Sequence, residues 1–324
     1  MDQSPTKIHV TTRTYLSGWT HDGLLRPVSV RYGPQKLKTP AAVAWEHQWW
    51  GAGDPALNAA CEEACAKLEN LLPDTLAAVE VGWPLDTPTT AVVAELMALH
   101  VLRTRAFKQW FTPVRDASLA EYRDRFPNEQ SFEQWKQDMQ SDRRRAERLL
   151  AALNKLSTVL GSMHWSLLRF SEPLLITGDQ PVCPVPLPTT DPVQPISAMP
   201  SGGWLDTYEV RFPLTPRLAL LATWHMGTET TPIAGTREQA ANLNASVARQ
   251  AFEQWFQTPA CEPAWPPETE APSLLLPIAT QVLSGYSTGS AVASPLRSRT
   301  RKHVEDLIEV QDHKTVMLAK LNAS

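Results

Sequence analysis

One short segment constrains the fold of this 324-residue chain more than any other. Leu174–Thr177 is an apolar run typical of a buried strand, and Gly178-Asp179-Gln180-Pro181 follows it at once. Glycine and proline favour a tight turn at that point, because both are poorly suited to the interior of a strand. We therefore expect the Asp179 carboxylate and the Gln180 amide to lie on a turn at the edge of a folded core.

The composition is that of an ordinary globular protein, with 43% hydrophobic and 20% charged residues. A formal net charge of -4 excludes the strongly basic surface that non-specific nucleic-acid binding requires. No apolar run reaches the roughly 18 residues of a membrane span, and the N-terminus has no apolar signal core. We expect a cytoplasmic protein without membrane contact, in which the four cysteines are reduced thiols.

Metal ligands and aromatic residues are two further possible sources of chemistry in this sequence. The sequence contains neither Cys-x-x-Cys nor His-Glu-x-x-His, so we expect no metal site and no cofactor. Twelve tryptophans are many for this length. We favour a core of large residues with aromatic side chains at its rim over a surface for stacking bases, because lysine and arginine are not interleaved with the tryptophans.

Hydrophobic periodicity predicts four long helices and a group of strands. The helical spacing extends over residues 55–81, 89–111, 131–160 and 236–257. The strand-like runs are Val28–Tyr32, Met163–Phe170, Leu174–Thr177, Tyr208–Phe212 and Leu218–Trp224. We predict a single α+β domain over residues 1–258, in which long helices cover a mixed or antiparallel sheet of about four to six strands.

Proline-rich and amphipathic segments flank or interrupt this domain. Pro184–Pro200 is long enough to be a lid or a binding loop. Residues 259–300 are rich in Pro, Ser, Thr and Gly, which indicates a linker or a surface arm. The apolar spacing in residues 301–324 predicts a C-terminal helix that either docks on the domain or binds a partner protein.

Six short motifs follow one another along residues 7–258. They are His9-Val10 with Tyr15-Leu16, Glu62-Glu63 with Leu68-Glu69, Leu102-Arg103-Thr104, Gly178-Asp179-Gln180-Pro181, Pro213-Leu214-Thr215-Pro216 and Asn242-Leu243-Asn244. In this order they resemble a bacterial family known only as a domain of unknown function. The resemblance implies a shared fold, but the family name implies no activity.

Two motifs depart from the family's pattern. Gly178 stands where the family usually has serine, and His9-Val10-Thr11-Thr12 replaces an opening His-Tyr-Val-Pro. If that serine or that opening carries chemistry, the resemblance implies that this member is altered or inactive.

The acidic turn residue has two interpretations of equal weight. Asp179 is either an Asx-type turn residue, whose carboxylate accepts nearby backbone N–H groups, or a general base or ligand-anchoring carboxylate. In the second interpretation His9 and Glu63 are its candidate catalytic partners.

Basic and amide side chains are the candidate substrate-binding residues. Arg103 and Arg105 follow a buried apolar helix, and a buried cation without a partner is costly. We predict that Arg103 pairs with Asp179 or Glu63, either as a structural ion pair or as an anion-binding site. Gln180 and Asn244 are assigned to substrate binding, together with the two arginines.

Three functions remain open, and the sequence does not decide whether the chain is an enzyme. The first is a hydrolase- or nuclease-like effector or defence enzyme, which acts on an anionic or nucleotide-like substrate in a cleft formed by His9, Glu63, Arg103 and Asp179. The second is a non-catalytic scaffold that binds a partner protein or peptide, with the C-terminal arm involved. The third is a tailoring enzyme or carrier for a small aromatic metabolite, which would need a tryptophan-lined pocket.

Overall fold

The computed structural model describes residues 7–47, 55–105, 107–108, 123–186, 207–224 and 230–265. Within these ranges the chain forms long helices and three separate sheets, which confirms the predicted α+β class. The predicted C-terminal arm and helix lie outside the described residues, as does most of the proline-rich loop. The predicted domain boundary at residue 258 stays a prediction.

A five-stranded sheet carries most of the apolar core. Its order is β10-β5-β9-β8-β7, and every neighbouring pair is antiparallel except β10 and β5. All six residues of β9 are buried, because both faces of the sheet are covered. The strands are β5 (His164–Arg169), β7 (Cys183–Pro186), β8 (Thr207–Thr215), β9 (Leu218–Thr223) and β10 (Ile233–Ala234).

Two smaller sheets were not foreseen in the sequence. One has the order β3-β2-β11-β6, and the other pairs β1 with β4. The predicted helix over residues 236–257 is wrong at its end, because the chain turns after Gln250 and residues 254–257 form the strand that joins β2 to β6. The strands are β1 (Lys7–His9), β2 (Arg26–Ser29), β3 (Gly33–Pro34), β4 (Trp45–His47), β6 (Thr177–Gly178) and β11 (Gln254–Gln257).

The helices confirm most of the predicted periodicity. The predicted helix over residues 55–81 is confirmed, and it continues past Pro73. The next helix begins at Thr87, where Asp86 accepts a hydrogen bond from the Thr89 N–H at 2.8 Å, and it ends at Leu102. The helices are α1 (Arg13–Ser17), α2 (Pro55–Val81), α3 (Thr87–Leu102), α4 (Glu129–Gln140), α5 (Asp142–Gly161) and α6 (Arg237–Gln250).

The single helix predicted over residues 131–160 is wrong, since two helices occupy that range. Ser141 separates α4 from α5 and has an extended backbone. Its hydroxyl accepts the Arg144 N–H at 3.3 Å and so caps α5. Serine in a polar stretch is a common helix N-cap, but the apolar spacing on both sides hid this break.

Packing places α3 among α2, α5 and the five-stranded sheet. Eight of its residues are buried, including His100, which agrees with the prediction that this helix is central. None of the helices in the described residues is long and apolar enough to cross a membrane.

Candidate functional site

The turn after β6 positions Asp179 as the acceptor for a distant stretch of backbone. One carboxylate oxygen accepts the Phe252 N–H at 2.9 Å, and the other accepts the N–H groups of Glu253 at 2.7 Å and Gln254 at 3.1 Å. The Asp179 N–H donates in return to the Gln254 carbonyl at 3.1 Å. Asp179 therefore fixes the corner between α6 and β11, which lies more than 70 residues away in sequence.

Opposing influences act on the proton affinity of this carboxylate. Burial raises the pKa of Asp179 from 3.8 to about 6, although the three backbone N–H donors act in the opposite direction. The bonds of this carboxylate differ from those of the Asx-type turn that was one of the two interpretations, because the N–H groups it accepts lie far from its own turn in sequence.

Gly178 allows the close approach of α6 to this turn. A Cβ atom at Gly178 would lie 3.3 Å from Cγ1 of Val247. We expect Gly178→Ser to lower the free energy of unfolding by about 1 kcal/mol through this overpacking. Urea denaturation measures the loss, and the added substitution Val247→Ala should remove most of the penalty that Gly178→Ser causes. A loss above about 3 kcal/mol would contradict this explanation.

Asp179 also lines a cavity of about 420 Å³ at the junction of the two small sheets. Lys38, Arg105 and Lys108 bring positive charge to its wall, and Glu46 and Glu253 bring further negative charge. The complete lining is Val10, Lys38, residues 42–46, Arg105, Lys108, Asp179 and residues 252–254.

Arg105 contacts three partners across the wall of this cavity. Its Nε lies 2.7 Å from Oε1 of Glu46, one terminal nitrogen pairs with Glu253, and the other donates to the Trp45 carbonyl at 3.1 Å. Lys108 lies 3.8 Å from the second oxygen of Glu46. Arg105 therefore joins β4 to the corner that Asp179 fixes.

Arg103 lies in a different environment, and the predicted pairing with Asp179 or Glu63 is wrong. Its guanidinium, only 2% exposed, contacts both oxygens of Glu62 at 3.0 and 3.1 Å and Oε1 of Glu69 at 2.8 Å. Glu62 and Glu69 are seven residues apart on α2 and share a face. Glu63 is rotated by about 100° from Glu62, and its exposed side chain pairs with Lys67 at 3.0 Å.

His9 belongs to the surroundings of Arg103. Burial lowers the pKa of His9, a hydrogen bond that its ring donates to the Ala41 backbone opposes this, and the positive charge of Arg103 adds to the lowering. Its Nε2 is buried and has no hydrogen-bond partner in the described part of the chain. The charge of Arg103 thus acts on His9, Asp179 lines one cavity with Arg105, and Glu63 lies on the surface.

Comparison with known protein families identifies the family to which this chain belongs. A family model described as a protein of unknown function, DUF4238, matches residues 7–260. The chain belongs to the DUF4238 family. This confirms the resemblance to a family of unknown function, and the match covers the three sheets and both arginine environments. No curated protein and no solved structure matches the sequence.

The motifs of this DUF4238 domain meet one another in the interior. Tyr15 is fully buried, its hydroxyl donates to the Pro213 carbonyl and lies 2.7 Å from Oγ1 of Thr177, and its ring stacks on Phe212. The tyrosine motif therefore joins the strand before Asp179 to the proline motif of β8.

The two amide residues assigned to substrate lie inside the DUF4238 domain. Asn244 is fully buried, accepts the Ile176 N–H at 2.9 Å, and donates to the carbonyls of Leu174 at 2.7 Å and Ala264 at 2.8 Å. A substrate contact of Asn244 stays a prediction, and it would require these bonds to break. Gln180 is buried next to Asp179.

Sequence reasoning missed a buried ion pair on β8. Glu209 and Arg211 both have 0% exposed side chains, and the Arg211 Nε lies 2.5 Å from Oε1 of Glu209. Arg211 also donates to Ser246 and to the side chain of Asn242 on α6. The alternation Glu-Val-Arg-Phe predicts a solvent face for the two charges, but α6 covers that face.

The cavity residues Trp45, Glu46, Lys108 and Glu253 were also missed. They come from β4, from the chain beyond α3 and from the residue before β11. No motif links them in sequence, so only the folded chain identifies them. Within the described residues, no group of three or more His, Cys, Asp or Glu side chains is arranged to hold a metal ion.

Proposed function

We propose that this DUF4238 member is an enzyme acting on a small anionic, nucleotide-like substrate bound in the Asp179 cavity. The observation that carries this proposal is the joint presence of Arg105, Lys108 and Trp45 in one cavity of about 420 Å³. That volume lies within the range of small-molecule sites, roughly 300 to 1,000 Å³.

The three side chains supply complementary recognition of a nucleotide. An arginine guanidinium presents parallel N–H donors that match a phosphate, and a lysine adds a compact positive charge. An indole ring offers a surface on which a base stacks, whatever its identity. Trp45 is partly buried and belongs to the lining of the cavity.

Carboxylates in the same cavity supply the chemistry of a hydrolase. Glu46 lies between Arg105 and Lys108, beside the position proposed for the phosphate, and there it can orient a water molecule for attack. Asp179 holds the cavity wall, because three backbone N–H groups depend on it. This assignment moves the reactive carboxylate from Asp179 and Glu63 to Glu46.

A second candidate function, peptide binding, is favoured by a separate apolar slot. The slot measures about 80 Å³ and lies between α2, α3 and α5, with leucines from all three helices in its wall. Leu150 at this slot is 36% exposed. A leucine-type side chain of a partner peptide fits such a slot, as in helix-in-groove recognition.

The third candidate, a carrier for an aromatic metabolite, has less support. Trp45 is the one tryptophan in the lining of the Asp179 cavity, and six of the thirteen lining residues are charged. A pocket for a neutral aromatic ring is usually lined mainly by apolar and aromatic side chains.

Arg105→Ala should weaken binding of AMP at least ten-fold, because the cavity loses its bidentate phosphate donor. Isothermal titration calorimetry of the full chain with AMP and with adenosine measures the effect. Lys67→Ala is the matched control, since it removes an exposed cation that pairs with Glu63 outside the cavity. Equal affinity of wild type and Arg105→Ala for AMP would contradict the proposed site.

Catalysis is tested separately from binding. We expect the full chain to release phosphate or base from a panel of nucleotides, and we expect Glu46→Gln to abolish this release while AMP still binds. If the protein is an effector, induction in a bacterial host should arrest growth, and Arg105→Ala should relieve the arrest at equal soluble protein level. Turnover by Glu46→Gln equal to that of wild type would refute the assigned role of Glu46.

A further inference from the structure

We infer that the Glu253 carboxylate occupies the phosphate position of the cavity in the free protein, and that a ligand binds by displacing it from Arg105. This inference rests on the proposed function and adds to it a selection rule for the substrate. It would make Glu253 a specificity-determining residue that competes with the ligand from within the chain.

Both terminal nitrogens of the Arg105 guanidinium already have a partner, so an incoming anion meets the Glu253 carboxylate at one of them. Glu46 faces its Nε at 2.7 Å, the Trp45 carbonyl accepts from one terminal nitrogen at 3.1 Å, and Glu253 pairs with the other. Bidentate binding of a phosphate needs two adjacent donors. A ligand can therefore use this arginine fully only after one present partner has left.

Exposure indicates which partner leaves. The Glu253 side chain is 53% exposed, whereas the Glu46 side chain is 22% exposed and also faces Lys108 at 3.8 Å. Displaced Glu253 can return to water, while displaced Glu46 would lose two cations in a more buried position. Glu253 is the partner that exchanges at the lower cost.

The backbone around Glu253 is held independently of its side chain. The Asp179 carboxylate accepts the N–H groups of residues 252–254, and the Glu253 carbonyl accepts the Val30 N–H at 2.8 Å. Exchange therefore needs only rotation of the Glu253 side chain. Asp179 thereby holds the Glu253 backbone in place, and the Glu253 side chain reaches Arg105 from there.

Competition with a carboxylate sets the class of ligand that binds. A ligand carboxylate would form the same ion pair with Arg105 that Glu253 already forms, so the exchange would contribute little binding free energy. A phosphate monoester carries up to two negative charges and more acceptor oxygens, so it out-competes Glu253. We expect the cavity to select ligands with a terminal phosphate over carboxylates of similar size.

The test compares Glu253→Gln with wild type as full chains. Calorimetric titration with AMP should give a dissociation constant roughly three-fold lower for Glu253→Gln, because an exposed ion pair no longer opposes the ligand. Glu253→Ala should change affinity in the same direction. Glu63→Gln is the matched control, since it removes an exposed glutamate outside the cavity and should leave affinity unchanged.

The outcomes separate this inference from the proposed function. Binding of AMP by wild type with equal or weaker binding by both Glu253 variants overturns the inference and leaves the proposed function intact. Wild-type affinity for acetate or succinate equal to that for AMP also overturns the selection rule. Absence of AMP and pyrophosphate binding by wild type up to millimolar concentration overturns both.

Discussion

Arg211→Met should lower the free energy of unfolding by about 3 to 5 kcal/mol. The side chains of Arg211 and Glu209 are both 0% exposed, so the substitution leaves the Glu209 carboxylate buried without this guanidinium. Methionine has a similar length and no charge, so loss of volume contributes little. Urea denaturation at neutral pH, with the slope checked for two-state unfolding, measures the loss.

The double variant Glu209→Leu, Arg211→Met separates the charge from the packing. Removal of both charges leaves an apolar pair of similar volume, which is often neutral or stabilising in a protein interior. We expect the double variant to regain most of the stability that Arg211→Met loses. A double variant as unstable as Arg211→Met would show that the bonds to Ser246 and Asn242 matter more than the ion pair.

Local patterns in the sequence predicted the elements and not their assembly. The helix over residues 55–81 and the strands around β5, β8 and β9 follow from periodicity, since each element presents a regular apolar face. Periodicity does not say what covers the other face. Glu209 and Arg211 illustrate this, because α6 is contributed by residues that lie about thirty positions later.

The arginine pairings show the same limit at the level of single residues. An unpaired buried cation is costly, and the prediction that Arg103 pairs with a carboxylate is correct in that respect. Glu62 and Glu63 are adjacent in sequence, and the choice between them depends on the rotation of α2 about its axis. The spacing of Glu62 and Glu69 could have identified the right partner, because seven residues span about two helical turns and place both carboxylates on one face of α2.

The cavity could not be predicted, because its wall comes from segments that are far apart in sequence. Trp45 and Glu46 belong to a short strand, Arg105 and Lys108 follow α3, and Glu253 precedes β11. The helix predicted over residues 236–257 included Glu253, so this residue was not considered as part of a site. The Asp179 turn and Arg105 were the parts of this wall that the sequence indicated.

Asp179→Asn should change the pH dependence of stability in a direction that its surroundings determine. Burial raises the pKa of Asp179 from 3.8 to about 6, so the folded state binds this proton more tightly than the unfolded state. A carboxyl group with a raised folded pKa stabilises the fold fully below the unfolded value, and this contribution is lost as the pH rises through the folded value. Asparagine does not titrate, so its variant lacks the contribution at every pH.

The expected result is a stability difference that grows on acidification. Between about pH 7.5 and about pH 4, the free energy of unfolding of wild type should rise relative to that of Asp179→Asn by about 2 to 3 kcal/mol. Urea denaturation of both proteins at steps of pH measures this difference, and titration of other groups cancels in the comparison. The three N–H donors lower the pKa of Asp179 and so oppose the effect of burial. A difference that shrinks on acidification would mean that these donors outweigh burial, so that Asp179 stabilises the corner of the cavity as a carboxylate with a lowered pKa.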